Sequence, residues 1–196
     1  MSKRIFDFTI SFLSLLLLFP FLLIVSIMIK WDSPGPVFFK QKRAGENGKE
    51  FNILKFRTMI NGAEKLGPHI TSNNDPRITK MGRLIRWGKL DEFPQLINVL
   101  KGEMSLVGPR PEIPVFVREY TPEQKKILLV KPGITGPAQI YFRNESKQIP
   151  SSAKVEDYYR DHILPEKLKI DLEYLQSRSF LFDLKYLFIT IGKILS

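Results

Sequence analysis

The chain has no cysteine and only two histidines, His69 and His162. The first absence excludes a disulfide framework and a thiolate metal site. The second leaves too few imidazoles for a histidine-based site, so a metal here would be held by carboxylates and phosphate oxygens, which suits Mg²⁺. Acidic charge is also scarce: 20 Asp and Glu stand against 30 Lys and Arg, a net charge of +10. Such a surface calls for an anionic partner, whether nucleic acid, an anionic membrane face or a phosphorylated substrate. Residues 8 to 29 carry no charge at all. No internal repeat or low-complexity tract is present, and 196 residues allow one domain plus an anchor.

As a helix, the uncharged run would be roughly 33 Å long, enough to span a bilayer. It is not followed by the small-residue cleavage site of a signal peptide; Lys30-Trp31-Asp32 comes next. Pro20, near its middle, predicts a break or kink. Lys3 and Arg4 precede the run, and Lys30, Lys40, Lys42 and Arg43 follow it. Basic flanks prefer the cytoplasmic side. Two geometries fit: a kinked spanning helix with a short external tail, or a helix that enters, bends at Pro20 and returns. In the second, Ser14 or Ser26 would help satisfy freed backbone groups. Trp31 stands where an interface anchor belongs. The expected division is a membrane helix over 1–31 and a second unit over 32–196.

The remainder reads as α+β, mostly helical, with a small hairpin or sheet. Residues 37–42 and 50–56 read as strands joined by a Gly45-Glu46-Asn47-Gly48 loop. Lys55 and Arg57 straddle Phe56, so in a strand they share one face, where a basic pair could bind pyrophosphate or simply be solvated. Residues 61–80, with Asn61-Gly62, Gly67-Pro68 and Asn73-Asn74-Asp75-Pro76, read as a loop able to close over a substrate. From Arg77 to Lys89, basic residues recur about every third position between Met81, Leu84, Ile85 and Trp87, the pattern of a helix at a membrane surface. Thr121-Pro122-Glu123 reads as a helix start. Residues 131–137 read as a rigid turn pair whose glycines permit close approach to a ligand or a positive φ. Residues 151–178 read as one or two polar helices in which the Asp157-Tyr158-Tyr159 tyrosines pack or help bind a donor. Residues 180–195 form an amphipathic helix with a Leu184, Leu187, Phe188, Ile191, Leu195 stripe, too short and too charged to span.

The most informative stretch holds the adjacent acids Asp91-Glu92 ahead of an apolar run at helical spacing, Leu96, Ile97, Val99 and Leu100, with Gly102 as the stop. Two readings compete. The acids cap a helix, satisfying its first N–H groups and dipole. Or an ionised carboxylate at a positive helix end serves as a nucleophile toward a phosphoryl group bound at the same place. Arg86 just upstream and Arg110, in the stiff Gly108-Pro109-Arg110-Pro111 turn, suit bidentate phosphate contact.

Five motifs give the chain a resemblance. They are Lys55-Phe56-Arg57-Thr58-Met59, Leu90-Asp91-Glu92, Asn98-Val99-Leu100-Lys101-Gly102, residues 104 to 111 (Met104 to Pro111), and Lys131-Pro132-Gly133-Ile134-Thr135-Gly136. In this order, over nearly the whole chain, they resemble the bacterial sugar transferases of the small monotopic phosphoglycosyl transferase type. Arg143-Asn144 matches a further position of that family, whereas the flanking 140–142 and 145–150 diverge and would tune sugar choice. Phe19-Pro20 also departs from the family's frequent Ser-Pro break.

The resemblance implies an enzyme of the bacterial cytoplasmic membrane, with a re-entrant membrane helix broken at Pro20 and amphipathic interfacial helices around a catalytic domain on the cytoplasmic face. It would transfer a sugar-1-phosphate from a UDP-sugar to polyprenyl phosphate through a phospho-sugar intermediate on Asp91. Glu92 would bind Mg²⁺, help deprotonate the acceptor, or both. Arg86, Arg110 and Arg143 would bind phosphate, as would Lys55 and Arg57. Two readings without catalysis compete with it: a membrane-tethered nucleic-acid binder, which leaves an acid pair inside the basic region unexplained, and a peripheral lipid-binding protein.

Overall fold

The computed structural model describes residues 2–68, 70–71, 75–150 and 154–195, without the side chains of 146, 147, 194 and 195. His69, Asn73-Asn74, the start of the 151–178 segment and the Leu195 side chain of the final stripe therefore lie outside the described residues. The fold is mostly helical, with two small two-stranded sheets.

Helix α1, Ser2–Asp32, is one continuous helix. It is the described helix long and apolar enough to cross a membrane, and its most apolar window has a mean hydropathy of 2.9 with 11% of that window buried. Leu16, Leu17, Phe19, Leu23 and Ile24 of its middle are exposed. Where the sequence predicts a break, the helix passes through Pro20 without interruption. Proline removes one N–H from the ladder, which costs a rung but need not end the helix. The carbonyl left without that donor is at position 16, and Ser26 does not serve it: its hydroxyl donates to Leu22 O at 2.7 Å.

Both ends of α1 are fastened to the rest of the chain. Near the start, Lys3 pairs with Asp183, the Ser105 hydroxyl donates to Asp7 Oδ2 at 2.7 Å, and Arg4 donates to Leu100 O at 2.8 Å. Near the end, Val25 and Ile29 pack with Phe56 and Ile85, and Asp32 Oδ2 accepts the Met81 N–H at 3.1 Å.

The expected hairpin is present. Strands β1, Phe38–Ala44, and β2, Glu50–Phe56, pair antiparallel with Lys40 opposite Leu54. The 3₁₀ turn Glu46–Gly48 joins them, with Asn47 at φ 57°, a conformation that asparagine tolerates better than most residues. Helix α2, Lys80–Trp87, is capped by Thr79, whose Oγ1 accepts the Gly82 N–H at 3.0 Å. Helix α3, Gln95–Lys101, ends at Gly102 with φ 84°, the stop read in the sequence.

Residues 131–137 hold a strand rather than a turn pair alone. Strand β4, Gly133–Thr135, lies parallel to β3, Ser105–Val107. Three residues are too few to show alternation, so periodicity had no purchase there. After α4, Pro114–Arg118, comes the 3₁₀ stretch Gln124–Leu129. Thr121 and Gln124 cap it reciprocally: Thr121 N–H donates to Gln124 Oε1 and Gln124 N–H to Thr121 Oγ1.

Helix α5, Pro137–Tyr141, is followed by α6, Glu145–Gln148, and α7, Val155–Tyr158, which continues through a π turn, Tyr159–Ile163, into α8, Leu164–Ser177. Far from being polar throughout, this segment gives Tyr159, Ile163, Leu164 and Leu168 to the largest core cluster, with Ile113, Phe116 and Phe142. Tyr159 is thus a packing residue, and Tyr158 packs against His162. Helix α9, Phe180–Leu195, lays Tyr186 and Leu187 on a core with Leu106 and Val107, leaving Phe188 and Ile191 exposed.

Candidate active site

The acids do not cap α3. They lie in a separate 3₁₀ turn, Leu90–Glu92, and α3 begins only at Gln95, after Pro94, with no side-chain cap. Lys89 enters the turn at φ 55°, a left-handed conformation that costs a lysine on the order of 1 kcal/mol. It reverses the chain just after Gly88 closes α2 and so brings the acids back toward β2.

What faces them there is Lys55, near the end of β2. That strand is held by a fully buried side chain of α3: Asn98 Oδ1 accepts the Leu54 N–H at 3.0 Å, and Asn98 Nδ2 donates to Asn52 O at 2.8 Å. With the strand fixed, Lys55 Nζ donates to Glu92 Oε1 at 2.7 Å, and Arg110 Nη2 donates to the same oxygen at 3.3 Å. Both cations thus sit on Oε1 and neither on Oε2.

Arg110 is aimed by a crossing of backbones. A Cβ on Gly133 would stand 2.1 Å from Gly108 N, and one on Gly136 would stand 2.4 Å from Gly108 O. The close approach these glycines permit is therefore between two chain segments. Beyond the turn, Glu112 is buried and accepts from Arg43 Nη1 at 3.1 Å and from the Tyr159 hydroxyl, while Arg43 also donates to Pro111 O. Lys167, buried as well, pairs with Glu145 and lies over the Tyr159 ring.

The two carboxyls are driven apart. For Glu92, burial favours the neutral acid, but the charges of Lys55 and Arg110 outweigh it and hold the carboxyl well below the usual range. For Asp91, burial prevails and pushes the carboxyl up, against the opposing pull of Lys55, and Glu92 adds to the rise while Arg86 and Lys89 counter it.

Arg86 reaches the site from α2, with its Nε donating to Thr58 Oγ1 at 2.7 Å. Arg143 is half-buried, and its backbone carbonyl accepts from Lys89 Nζ at 3.4 Å, so the segment after α5 closes toward the acid turn. The sequence-predicted residues Asp91, Glu92, Lys55, Arg86 and Arg110 thus act on one another at one place, with Arg143 at its margin.

Arg57 does not join them. It lies one residue past β2, buried, and donates to Pro34 O at 2.6 Å, Ser33 O at 2.7 Å and Ile29 O at 3.4 Å. The shared strand face expected for Lys55 and Arg57 ends with the strand, and the guanidinium instead ties down the chain where it leaves α1, at Ile29 O in the helix and at the Ser33 and Pro34 carbonyls just beyond it. Arg57→Ala is expected to cost roughly 2–4 kcal/mol by orphaning those acceptors. Thermal melting in detergent should drop by roughly 5–15 °C; an unchanged midpoint would refute that role.

Sequence reasoning missed Thr58 as a partner of Arg86 and counted Lys89 in a membrane-facing repeat. Lys89 stands two residues from Asp91, and that proximity was a usable signal. The Glu112, Tyr159 and Lys167 cluster spans 56 positions and offered no local signal.

Residues 1–196 match the bacterial sugar transferase family. The chain is 43% identical over 98% of its length to an undecaprenyl-phosphate glucose phosphotransferase of Komagataeibacter xylinus, and covers 36% of that protein. It is 40% identical over 97% of its length to the UDP-glucose:undecaprenyl-phosphate glucose-1-phosphate transferase of Escherichia coli K12, covering 39%. To an N-acetylgalactosaminephosphotransferase of Aeromonas hydrophila acting from UDP-N-acetylgalactosamine to undecaprenyl phosphate it is 35% identical over 99% of its length, covering 44%. The chain therefore spans less than half the length of these relatives.

Proposed function

The chain belongs to the bacterial sugar transferase family, and on that footing we propose that it is a phosphoglycosyl transferase, moving a sugar-1-phosphate from a UDP-sugar to polyprenyl phosphate. The observation that carries this reading is the charge-separated acid pair Asp91-Glu92, ringed by Lys55, Arg86 and Arg110. An Asp91 oxygen attacks the β-phosphorus of the donor. The bond from that phosphorus to the bridging oxygen breaks, and UMP leaves with the electron pair. An oxygen of the lipid phosphate then attacks the same phosphorus, breaking the aspartyl phosphate bond and restoring the carboxylate. Covalent catalysis divides one displacement into two.

Arg86 and Arg110 hold phosphate oxygens, with Lys55 offsetting charge beside them and Arg143 closing the margin. Arg57 is left out of this set because its guanidinium is occupied at the end of α1. Mg²⁺ suits the donor set. Glu92 keeps Oε2 clear of both cations, Asp91 is adjacent, and no cluster of three or more metal-binding side chains occurs among the described residues. The Glu92 carboxylate completed by substrate phosphates would make a usual Mg²⁺ environment. When bound, the ion neutralises phosphate charge.

Membrane attachment on the cytoplasmic side is part of the same proposal. It is supported by the exposed apolar middle of α1 and by Trp31 and Trp87, which are 85% and 84% exposed. Placement of both ends of α1 on one side of the bilayer is supported by their being fastened to one body, in a helix that stays continuous through Pro20.

The test is intact-protein mass spectrometry of the detergent-purified enzyme, given UDP-sugars and Mg²⁺ but no lipid. The expected result is a mass gain of one phospho-sugar, absent in Asp91→Asn, and supplying the donors one at a time names the sugar, since epimers share a mass. UMP release only after polyprenyl phosphate is added would overturn the covalent route. No UMP from any donor, with lipid present, would overturn the transferase reading.

A further inference from the structure

We propose that Thr58 is a positioning residue that aims Arg86 at the acid pair, an inference that rests on the phosphate-binding reading of Arg86. The Thr58 side chain is buried, and its hydroxyl oxygen accepts the Arg86 Nε–H at 2.7 Å. A guanidinium has five N–H donors in a rigid plane. Engaging the one on Nε stops rotation of that plane and leaves the four on the terminal nitrogens for a phosphate. Of the carboxylates acting on Arg86, Asp91 does so most strongly, with Asp75 after it.

The backbone of Thr58 fixes the helix that carries Arg86. Thr58 O accepts the Thr79 N–H at 3.1 Å, and Thr79 is the cap of α2. A Cβ on Gly82 would stand 2.0 Å from Thr58 O, so α2 lies directly on this residue and has no room to shift toward it. One residue therefore sets both the register of the helix and the direction of its arginine. Beside it, the buried Asp75–Arg77 pair, with Arg77 Nη2 2.6 Å from Asp75 Oδ2, keeps the preceding loop in place.

The stretch from Lys55 to Thr58 thus divides its work. Lys55 meets Glu92, Phe56 enters the core with α1, Arg57 ties down the turn that follows α1, and Thr58 holds Arg86.

Thr58→Val keeps shape and β-branching but removes the acceptor, whereas Thr58→Ser keeps the acceptor. UMP release should fall about tenfold or more in Thr58→Val, the loss expected for a hydrogen bond to a charged group, and Thr58→Ser should stay within about threefold of wild type. In an Arg86→Ala background, followed over hours by single-turnover adduct formation, Thr58→Val should change nothing further, because the two residues act as one unit. Wild-type turnover by Thr58→Val overturns the proposal. So does an equal fall in the Arg86→Ala background, or a fall that serine does not restore; these assign Thr58 to packing alone. Full activity of Arg86→Ala itself would instead overturn the phosphate-binding reading on which this one stands.

Discussion

On the proposed covalent route, Asp91→Asn is expected to lower turnover by on the order of 1,000-fold or more, because it removes the nucleophile that both steps of that route need. The same residue sets a pH signature. On that route only the ionised carboxylate would attack phosphorus, so activity is expected to fall as pH drops through the Asp91 pKa. Burial has raised that pKa, so the acid limb of kcat/KM should lie above the ordinary aspartate value of about 3.9. Glu92 adds no limb in the same range, since Lys55 and Arg110 hold it ionised well below. Lys55 lowers both acids. Lys55→Met should therefore move the acid limb to higher pH at fixed Mg²⁺, in addition to lowering the rate. A kcat/KM profile of Lys55→Met that overlays the wild type would refute the arrangement.

How much of this was legible in the sequence follows from how local each interaction is. The β1–β2 hairpin, the Gly102 stop and the apolar helix at the start are written in alternation, in one glycine and in an uncharged run, and all three are present. The acid pair stood out, but its surroundings did not. Capping was a sound expectation for acids before an apolar run, yet Pro94 delays α3, and the left-handed Lys89 turns the acids toward β2. No periodicity encodes that reversal. Lys55 and Arg57 looked equivalent because strand alternation was extended one residue too far, and they part company where β2 stops at Phe56. The glycines at 133 and 136 invited a ligand-approach reading, and Gly108 was read only as part of the turn that aims Arg110. Only the pairing of β3 with β4, 28 positions apart from Ser105 to Gly133, shows that they approach each other. The pairings that sequence reasoning lost were long-range, whereas Lys89, Pro94 and the end of β2 at Phe56 were local features read past.

That crossing yields the largest expected effect on stability. A Cβ on Gly133 would lie 2.1 Å from Gly108 N, 2.5 Å from Thr135 O and 2.6 Å from Gly108 O, all backbone atoms that no rotamer change can move aside. Relief requires separating β3 from β4, and with it the Ser105 N–H to Pro132 O and Gly108 N–H to Thr135 O hydrogen bonds, each 2.9 Å. Gly133→Ala should therefore destabilise by roughly 3–5 kcal/mol, in the range reserved for core overpacking with broken hydrogen bonds. The melting midpoint in detergent should fall by roughly 6–20 °C. Gly192→Ala is the matched comparison, since it sits within α9 with nothing within 4 Å of its added Cβ. Alanine there should be neutral or stabilising by up to about 1 kcal/mol. Because β3 runs straight into the turn that carries Arg110, the fraction of Gly133→Ala that remains folded should also bind donor more weakly, whereas Gly192→Ala should bind it as the wild type does. Equal melting of the two variants would show that the β3–β4 crossing yields without cost. It would also remove the geometric basis for Arg110 standing 3.3 Å from Glu92.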